Sequence, residues 1–419
     1  MKRYDSYKDS GVEWIGEVPS HWEVLPLKFK SDIIMGQSPD GKDIVPFGKT
    51  LFMQGNADFN NYYPTPNMYC DSCSKYSRIN DILMSVRAPV GELNFSDKIY
   101  GIGRGLCSIK GIDVYQKYLW YYLQMTKDIY KYFETGSTFT AITISVIKNL
   151  KLIDPSKEEQ HKIAYYLDTK CGEVDKVIST QEKRISLLQE LKQSIITHAV
   201  TKGLNPDVKM KDSGIEWIGE VPEHWEVCKI KRLSVVKRGA SPRPIENPIY
   251  FDDNGQYSWV RIADVTDSKK YLYSTTQKLS KLGSSLSVKM HPGEIFLSIA
   301  GTVGKPIITK IDCCIHDGFV WFPNLKIEPE YLYYIFLSGR PYLGLGKLGT
   351  QLNLNTETVG YISIPIPEGK EIIEIVSYLD KRCASIDASI SKAQKEIELL
   401  QEYKQSLITE VVTGKRKVC

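Results

Sequence analysis

Two stretches of the chain, about 158–200 and 371–412, repeat apolar residues at helical spacing. In the first the series runs Val174, Val177, Ile178, Ile185, Leu188, Leu191, Ile195 and Ala199; in the second, Ile386, Ile390, Ile397, Leu400, Leu407 and Val411. Gln, Glu and Lys fill the other faces, proline is absent, and Gly172 is the only glycine. The pattern predicts two long helices, and a helix carrying one apolar stripe must bury it against something. Two near-identical helices offer each other a partner, with Val174, Ile178, Ile185, Leu188 and Ile195 facing Ile386, Ile390, Ile397, Leu400 and Leu407 across an antiparallel seam. If Val174–Val200 is helical, about 27 residues make a rod of roughly 40 Å. The alternative is a pair of helices each packed on its own domain.

The remaining sequence has a different texture. Residues 1–157 and 204–369 hold short apolar runs separated by turn signals such as "SPDGKD", "DDNG" and "HPGE". That predicts irregular β structure with a few helices, of which "YQKYLWYYLQMTKD" (Tyr115–Asp128) is the clearest. The expected division is therefore 1–157, a helical region 158–203, then 204–369 and a second helical region 370–419.

The chain is also written twice. "KDSGVEWIGEVPSHWEV" (Lys8–Val24) returns as "KDSGIEWIGEVPEHWEV" (Lys211–Val227), differing only at Val12/Ile215 and Ser20/Glu223. Glu158–Gly203 matches Lys370–Lys415, and between them "DILMSVRAPVGEL" (Asp81–Leu93) echoes "EIFLSIAGTVGKP" (Glu294–Pro306). "YLWYYL" (Tyr118–Leu123) echoes "YLYYIF" (Tyr331–Phe336), and "TGSTFT" (Thr135–Thr140) echoes "LGTQLN" (Leu348–Asn353). A period above two hundred residues is too long for a solenoid, so two whole units stand in tandem.

Composition narrows the class without naming it. At 419 residues, 42% hydrophobic and 25% charged, the chain has the make-up of a soluble protein with more than one domain. No apolar run approaches the ~20 residues of a membrane helix, and "MKRYDSYKDS" lacks the apolar segment of a secretory signal, so a cytoplasmic location is expected. A net charge of +4 permits nucleic-acid binding on a local face without demanding it. Nine scattered cysteines show no disulfide framework. Cys70 and Cys73 have metal-knuckle spacing, but a closed zinc site needs four ligands and the other copy has adjacent Cys313 and Cys314. We read them as ordinary loop or strand cysteines and expect no metal.

Catalytic machinery is equally hard to find. "GTVGKP" (Gly301–Pro306) lacks the spacing and hydroxyl of a phosphate-binding loop. "GIGRG" (Gly101–Gly105) is glycine-rich without a helix N-terminus placed for phosphate. No Asn/Asp-Pro-Pro-aromatic tetrapeptide occurs, and "PDGKD" (Pro39–Asp43) has only turn composition. His21 and His224 belong to the Trp-rich peptides, His161 and His198 to the helices, and His291 and His316 stand alone. No catalytic residue is expected.

These elements, in this order and twice over, resemble the specificity subunit of a type I restriction–modification system. The carriers are "DSGVEWIGEVPSHWEV", then "GQSP" and "GASP", "SVRAPVGELNF…GIGRGLCSI", and "GSTFTAI…LKLIDPSKEEQHKIAYYLD", and the likeness covers essentially the whole chain. The resemblance implies an α+β architecture: two β-rich, mixed α/β target-recognition domains separated by two long helices packed as an antiparallel coiled coil, a pseudo-twofold tandem repeat. It implies that each domain reads one half of a split double-stranded DNA site. It further implies that the helices set the gap and dock two methyltransferase subunits, and that motor–nuclease restriction subunits complete the complex. S-adenosylmethionine, ATP and Mg would then sit on the partners and no cofactor on this chain. The rival reading is a non-catalytic coiled-coil scaffold that organises proteins without touching DNA.

Within the recognition domains, contacts are sought on Gly/Ser/Thr-rich loops, where Arg and Lys serve guanine edges or phosphates and Gln and Asn serve adenine. In the first domain these are Gln37, Ser38, Lys42, Arg87, Arg104, Ser137, Thr138 and Thr140; in the second, Arg238, Ser241, Arg243, Arg261, Lys347, Thr350, Gln351 and Asn353. Arg87 faces Ala300 in the second copy and Arg104 faces Asp317, so the scaffold requires neither. Trp14, Trp22, Trp217 and Trp225 are read as apolar anchors, and "NNYYPTPNMY" (Asn60–Tyr69) as packing.

Overall fold

The computed structural model describes residues 3–132, 141–343, 345 and 354–418. Its contacts divide the chain into two units, Met1–Glu182 with Gln394–Cys419, and Lys183–Ala393. The long helices run Lys157–Lys202 and Gly369–Val412, and the division falls inside both. Each unit thus holds the start of one helix and the end of the other.

In the first unit six strands build the frame: β1 (Ser31–Met35), β2 (Leu51–Met53), β3 (Ile82–Ser85), β4 (Leu93–Phe95), β5 (Gly101–Ile102) and β6 (Leu106–Gly111). β1, β6, β3 and β4 lie antiparallel in that order, while β2 pairs with Met68–Tyr69 and runs parallel to β5. β3 reads Ile-Leu-Met-Ser without polar alternation because both its faces are covered. Ile82 and Met84 join Cys107 and Ile109 in the main core beneath the helix Gln116–Met125; Leu83 joins Met53, Tyr100, Ile102 and Leu106 on the other side. That helix buries Tyr118 and Tyr122 completely, and both hydroxyls stay satisfied by donating to the carbonyls of Ile153 (2.8 Å) and Lys151.

The second unit repeats the plan with β7 (Lys237–Arg238), β8 (Tyr257–Val260), β9 (Ile295–Ser298), β10 (Pro306–Thr309), β11 (Cys313–Ile315) and β12 (Phe319–Trp321). β7, β12, β9 and β10 lie side by side, and β8 runs parallel to β11. Ile295, Leu297, Ile308 and Val320 pack under the helix Pro329–Leu337, and Phe296, Ile307 and Phe319 meet Val260 and Ile315 on the opposite face.

The Trp-rich peptide forms a small hairpin, Tyr7–Asp9 against Glu17–Pro19, repeated as Met210–Asp212 against Glu220–Pro222. Trp22 and Trp225 are fully buried just after it. Their indole N–H groups donate to Glu159 (3.1 Å) and Glu371 (2.8 Å) in the first turns of the long helices. His21 and His224 reach the same carboxylates at 3.0 and 3.1 Å. Glu159 also closes a capping box with Ser156, accepting from its N–H while the Ser156 hydroxyl accepts from Glu159 N–H. The far side of each indole meets the end of the other helix: a Cβ on Gly414 would lie 2.8 Å from the Trp22 ring, and one on Gly203 3.1 Å from Trp225. Only half of the expected anchors behave this way. Trp14 lies in the hairpin turn and is 37% exposed, and Trp217 is half-buried; Ile15 and Ile218 fill the apolar position beside them.

The long helices pair antiparallel within each unit. In the first, Lys404 reaches Asp175 at 2.7 Å and Gln181 reaches Glu396 at 3.1 Å; in the second, Lys192 reaches Asp387 at 2.7 Å. Asp175 and Asp387 are repeats of each other, as are Lys192 and Lys404, so one ion pair is written twice with donor and acceptor exchanged. Val174, Ile386 and Leu407 are buried, and Ile178, Ile185, Leu188, Ile195, Ile390, Ile397 and Leu400 half-buried. Val177 and Leu191, in the predicted stripe, are 42% and 46% exposed.

Candidate nucleic-acid interface

In the first unit the register of the sheet brings several loops to one end. Met35 pairs with Cys107, and Leu106 with Ser85, so the segments after β1, after β3 and before β6 leave the sheet together. Met53 pairs with Ile102, which adds the loop after β2. Backbone bonds then lock the loops: Gln37 N–H to Ile102 O (2.9 Å), Gly103 N–H to Met53 O (2.7 Å), Gly105 N–H to Gln54 O (3.0 Å) and Val86 N–H to Gly105 O (2.9 Å). Such proximity leaves no room for side chains at the crossings. A Cβ on Gly36 would lie 2.1 Å from Gly103 O, and one on Gly105 2.6 Å from Gln54 O. This is why "GQSP" and "GIGRG" carry glycine: the backbones must touch.

Gln37, Ser38, Arg87 and Arg104 all stand on this frame, with Gln37 and both arginines exposed. Ser38 Oγ accepts from Gln54 Nε2 at 2.6 Å and from Arg104 N–H at 3.4 Å. Neither arginine is paired with a carboxylate among the described residues. Lys42 sits apart on the short turn Gly41–Asp43, exposed, with Asp40 at 4.0 Å.

The second unit builds the same frame with other side chains. A Cβ on Gly239 would lie 2.1 Å from His316 O, Gly239 N–H donates to Phe319 O, Ile299 N–H to Gly318 O, and Val260 pairs with Ile315. Arg238, Ser241 and Arg243 gather on Asp317: Arg238 Nε donates to its carbonyl at 2.5 Å, Ser241 Oγ to Oδ1 at 3.0 Å and Arg243 to Oδ2 at 3.0 Å. Burial pushes the Asp317 carboxyl up, but the Ser241 hydrogen bond and the two arginines outweigh it and leave it ionised below the usual range. His316 Nδ1 accepts from Gly318 N–H at 2.8 Å, which places its proton on Nε2, and burial lowers its pKa below the ordinary value. Arg261 follows β8, caps the helix Ile262–Asp267, and donates to Thr276 Oγ1.

Seven expected contacts, Ser137, Thr138, Thr140, Lys347, Thr350, Gln351 and Asn353, lie outside the described residues. Sequence reading missed Gln54, His316 and the anchoring role of Asp317. The signal for Gln54 lies in "FMQGN" set against "WVRIAD", hidden because the two segments stand 207 residues apart while the flanking repeats stand 203 and 213 apart.

Chemically, each frame offers a rigid rim of amide, hydroxyl and guanidinium groups, the donors and acceptors that pair with base edges and phosphates. No group of three or more His, Cys, Asp or Glu is placed to hold a metal among the described residues. No helix among them is long and apolar enough to cross a membrane.

Comparison with known proteins points the same way. The model of the type I restriction modification DNA specificity domain matches twice, over residues 19–189 and 222–398. The type I restriction enzyme MjaVIII specificity subunit of Methanocaldococcus jannaschii is 25% identical, covering 96% of this chain and 94% of that protein. A protein of the same organism, provisionally named type I restriction enzyme MjaX specificity subunit, is 36% identical over 205 residues, 47% of this chain and 46% of its own length. The chain thus spans about half the length of that second relative. A solved chain from work on complex assembly and conformational transition of the type I R-M system shares the fold with a TM-score of 0.72 at 16% identity, covering 94% of this chain and 98% of the other. With the specificity-domain model matching both halves, the chain belongs to the type I restriction–modification specificity subunits and carries two DNA-specificity domains in tandem.

Proposed function

We propose that this chain reads a bipartite DNA site, one half with each domain, while the long helices set the gap and dock two methyltransferase subunits. The observation that carries the proposal is a contrast between the copies. The Trp-peptide anchors and the interhelical ion pairs repeat residue for residue, whereas the loop frames place different chemistry at equivalent points: Gln37 against Ala240, Arg87 against Ala300, Arg104 against Asp317. A duplicated scaffold that presents two different rims fits two identical partners and two different half-sequences.

The helices also carry exposed apolar residues. Leu187 (64% exposed) and Leu191 lie one turn apart in the second unit, and their repeats Leu399 (53%) and Tyr403 (49%) do so in the first. Two equivalent patches support two copies of one partner. S-adenosylmethionine would serve adenine methylation on the methyltransferase subunits, and ATP and Mg the motor–nuclease subunits.

The test is anisotropy titration of a cognate duplex with this chain and its methyltransferase subunit at about 50 to 200 mM salt. Phosphate contacts predict that log K falls linearly and steeply with log salt. Salt-insensitive binding, or none by the assembled complex, would favour the scaffold reading.

A further inference from the structure

We infer that the residue directly after β2 in the first domain, Gln54, and the one directly after β8 in the second, Arg261, are specificity-determining base contacts. In this reading Gln54 recognises adenine and Arg261 recognises guanine. The inference rests on the DNA-reading function proposed above and assigns particular chemistry to it.

The two positions are equivalent by hydrogen-bond register, not by sequence. Met53 pairs in parallel with Ile102, and Val260 with Ile315; the residue that follows β2 or β8 is Gln54 or Arg261. Ile102 and Ile315 are themselves equivalent, because Gly36 and Gly239 pack so closely on the carbonyl of the following residue, Gly103 or His316, that an added Cβ would lie the same 2.1 Å from it. Each side chain therefore springs from a sheet end fixed by backbone bonds rather than from a free loop. A contact that discriminates bases needs that rigidity, because a bidentate pair requires both atoms of the fork to be in place.

The surroundings lower the surface around Gln54. Its neighbours in the frame are Gly55, Gly103 and Gly105. A Cβ on Gly103 would stand 2.5 Å from Gln54 Oε1, so glycine there is what lets the carboxamide lie as it does. Ser38 Oγ holds Nε2 at 2.6 Å and orients the amide, whose other N–H and carbonyl remain on an exposed side chain. A primary amide presented in this way matches the N6–H and N7 of adenine. Arg261 is held differently but to the same effect. Its backbone N–H donates to Asp264 Oδ2 at 2.8 Å, its guanidinium donates to Thr276 Oγ1, and its buried Nε faces the same Asp264 carboxylate as an ion pair at 3.9 Å without a hydrogen bond among the described residues. The side chain is 43% exposed, which leaves part of the fork free for guanine O6 and N7.

The experiment is methylation-motif sequencing of the complex of this chain with its methyltransferase subunit, wild type against four variants: Gln54→Ala, Gln54→Glu, Arg261→Ala and Arg261→Lys. The Gln54 variants are expected to relax or change one A·T position in one half-site, with discrimination there falling on the order of ten- to a hundredfold. The other half should stay unchanged. Arg261→Ala should relax one G·C position in the opposite half, and Arg261→Lys should do the same while keeping the salt slope of binding, because lysine keeps the charge but loses the fork. An unaltered motif at unaltered rates in all four variants would overturn the inference while leaving the DNA-reading function intact. A loss spread evenly over both halves, or over all sequences, would also overturn it, since that marks phosphate or folding roles. A wild-type complex without any motif would instead sink the reading on which it rests.

Discussion

Replacing Glu159 with Ala tests the most loaded junction of the first unit. The carboxylate is 14% exposed and accepts from Trp22 Nε1, His21 Nε2 and Ser156 N–H. Its removal deletes the capping box of the first long helix, which costs about 1 kcal/mol. It also strands the Trp22 N–H in a fully buried site, which costs a further ~1–3 kcal/mol. The sum, about 2–4 kcal/mol, becomes roughly a 30- to 700-fold rise in hydrogen exchange at the second turn of that helix, residues 161–165. Glu371→Ala is the internal control. It strands Trp225 in the same way, but no capping box is formed at Glu371, whose N–H bonds to Glu368 O. Exchange at residues 373–377 should therefore rise by about fivefold less.

The pH dependence follows from the same geometry. Burial pushes the Glu159 carboxyl up, and the hydrogen bonds from His21, Trp22 and Ser156 more than reverse it, so the folded pKa lies below the ordinary 4.5. The contribution is therefore present above that value and is lost as pH falls through the folded pKa. Glu159→Ala should flatten the acid limb of stability. An exchange rise below fivefold, or an equal rise in both variants, would refute the reasoning.

Three further outcomes are expected. Gly239→Ala forces a Cβ to 2.1 Å from the His316 carbonyl, so urea unfolding should show a loss of about 1–3 kcal/mol. Its motif should lose one half-sequence only. Leu187→Glu combined with Leu399→Glu should abolish co-elution with the methyltransferase subunit in size-exclusion chromatography, while shifting stability by no more than about 0.5 kcal/mol, because both side chains are exposed. Removing one turn, about four residues, from each long helix should shorten the gap between half-sequences and leave both unchanged in a methylation map. A change in the bases read would contradict the spacer role.

The long helices were legible because their evidence is periodic and uninterrupted. An apolar stripe without proline over some forty residues has few other folds open to it. The helix partners were legible for a second reason, the duplication itself. The Trp peptide was half legible. Its repetition marked it as structural, but nothing in "EWIGEVPSHW" distinguishes Trp22, which receives a glutamate from far along the chain, from Trp14 in a hairpin turn. Burial there is decided by a partner more than a hundred residues away. The loop frame was legible as glycines without a reason; the reason, backbone against backbone at Gly36 and Gly105, exists only in three dimensions. Gln54 escaped because alignment by a single spacing slides past insertions, whereas strand register does not.

The central claim is tested most directly by single-molecule methylation mapping of DNA from cells expressing this chain with its methyltransferase subunit. The account predicts a split motif, two different half-sequences across a fixed gap with modified adenines on both strands, that vanishes when this chain is deleted. An unchanged motif after deletion, or no motif from a complex shown to assemble, would contradict it.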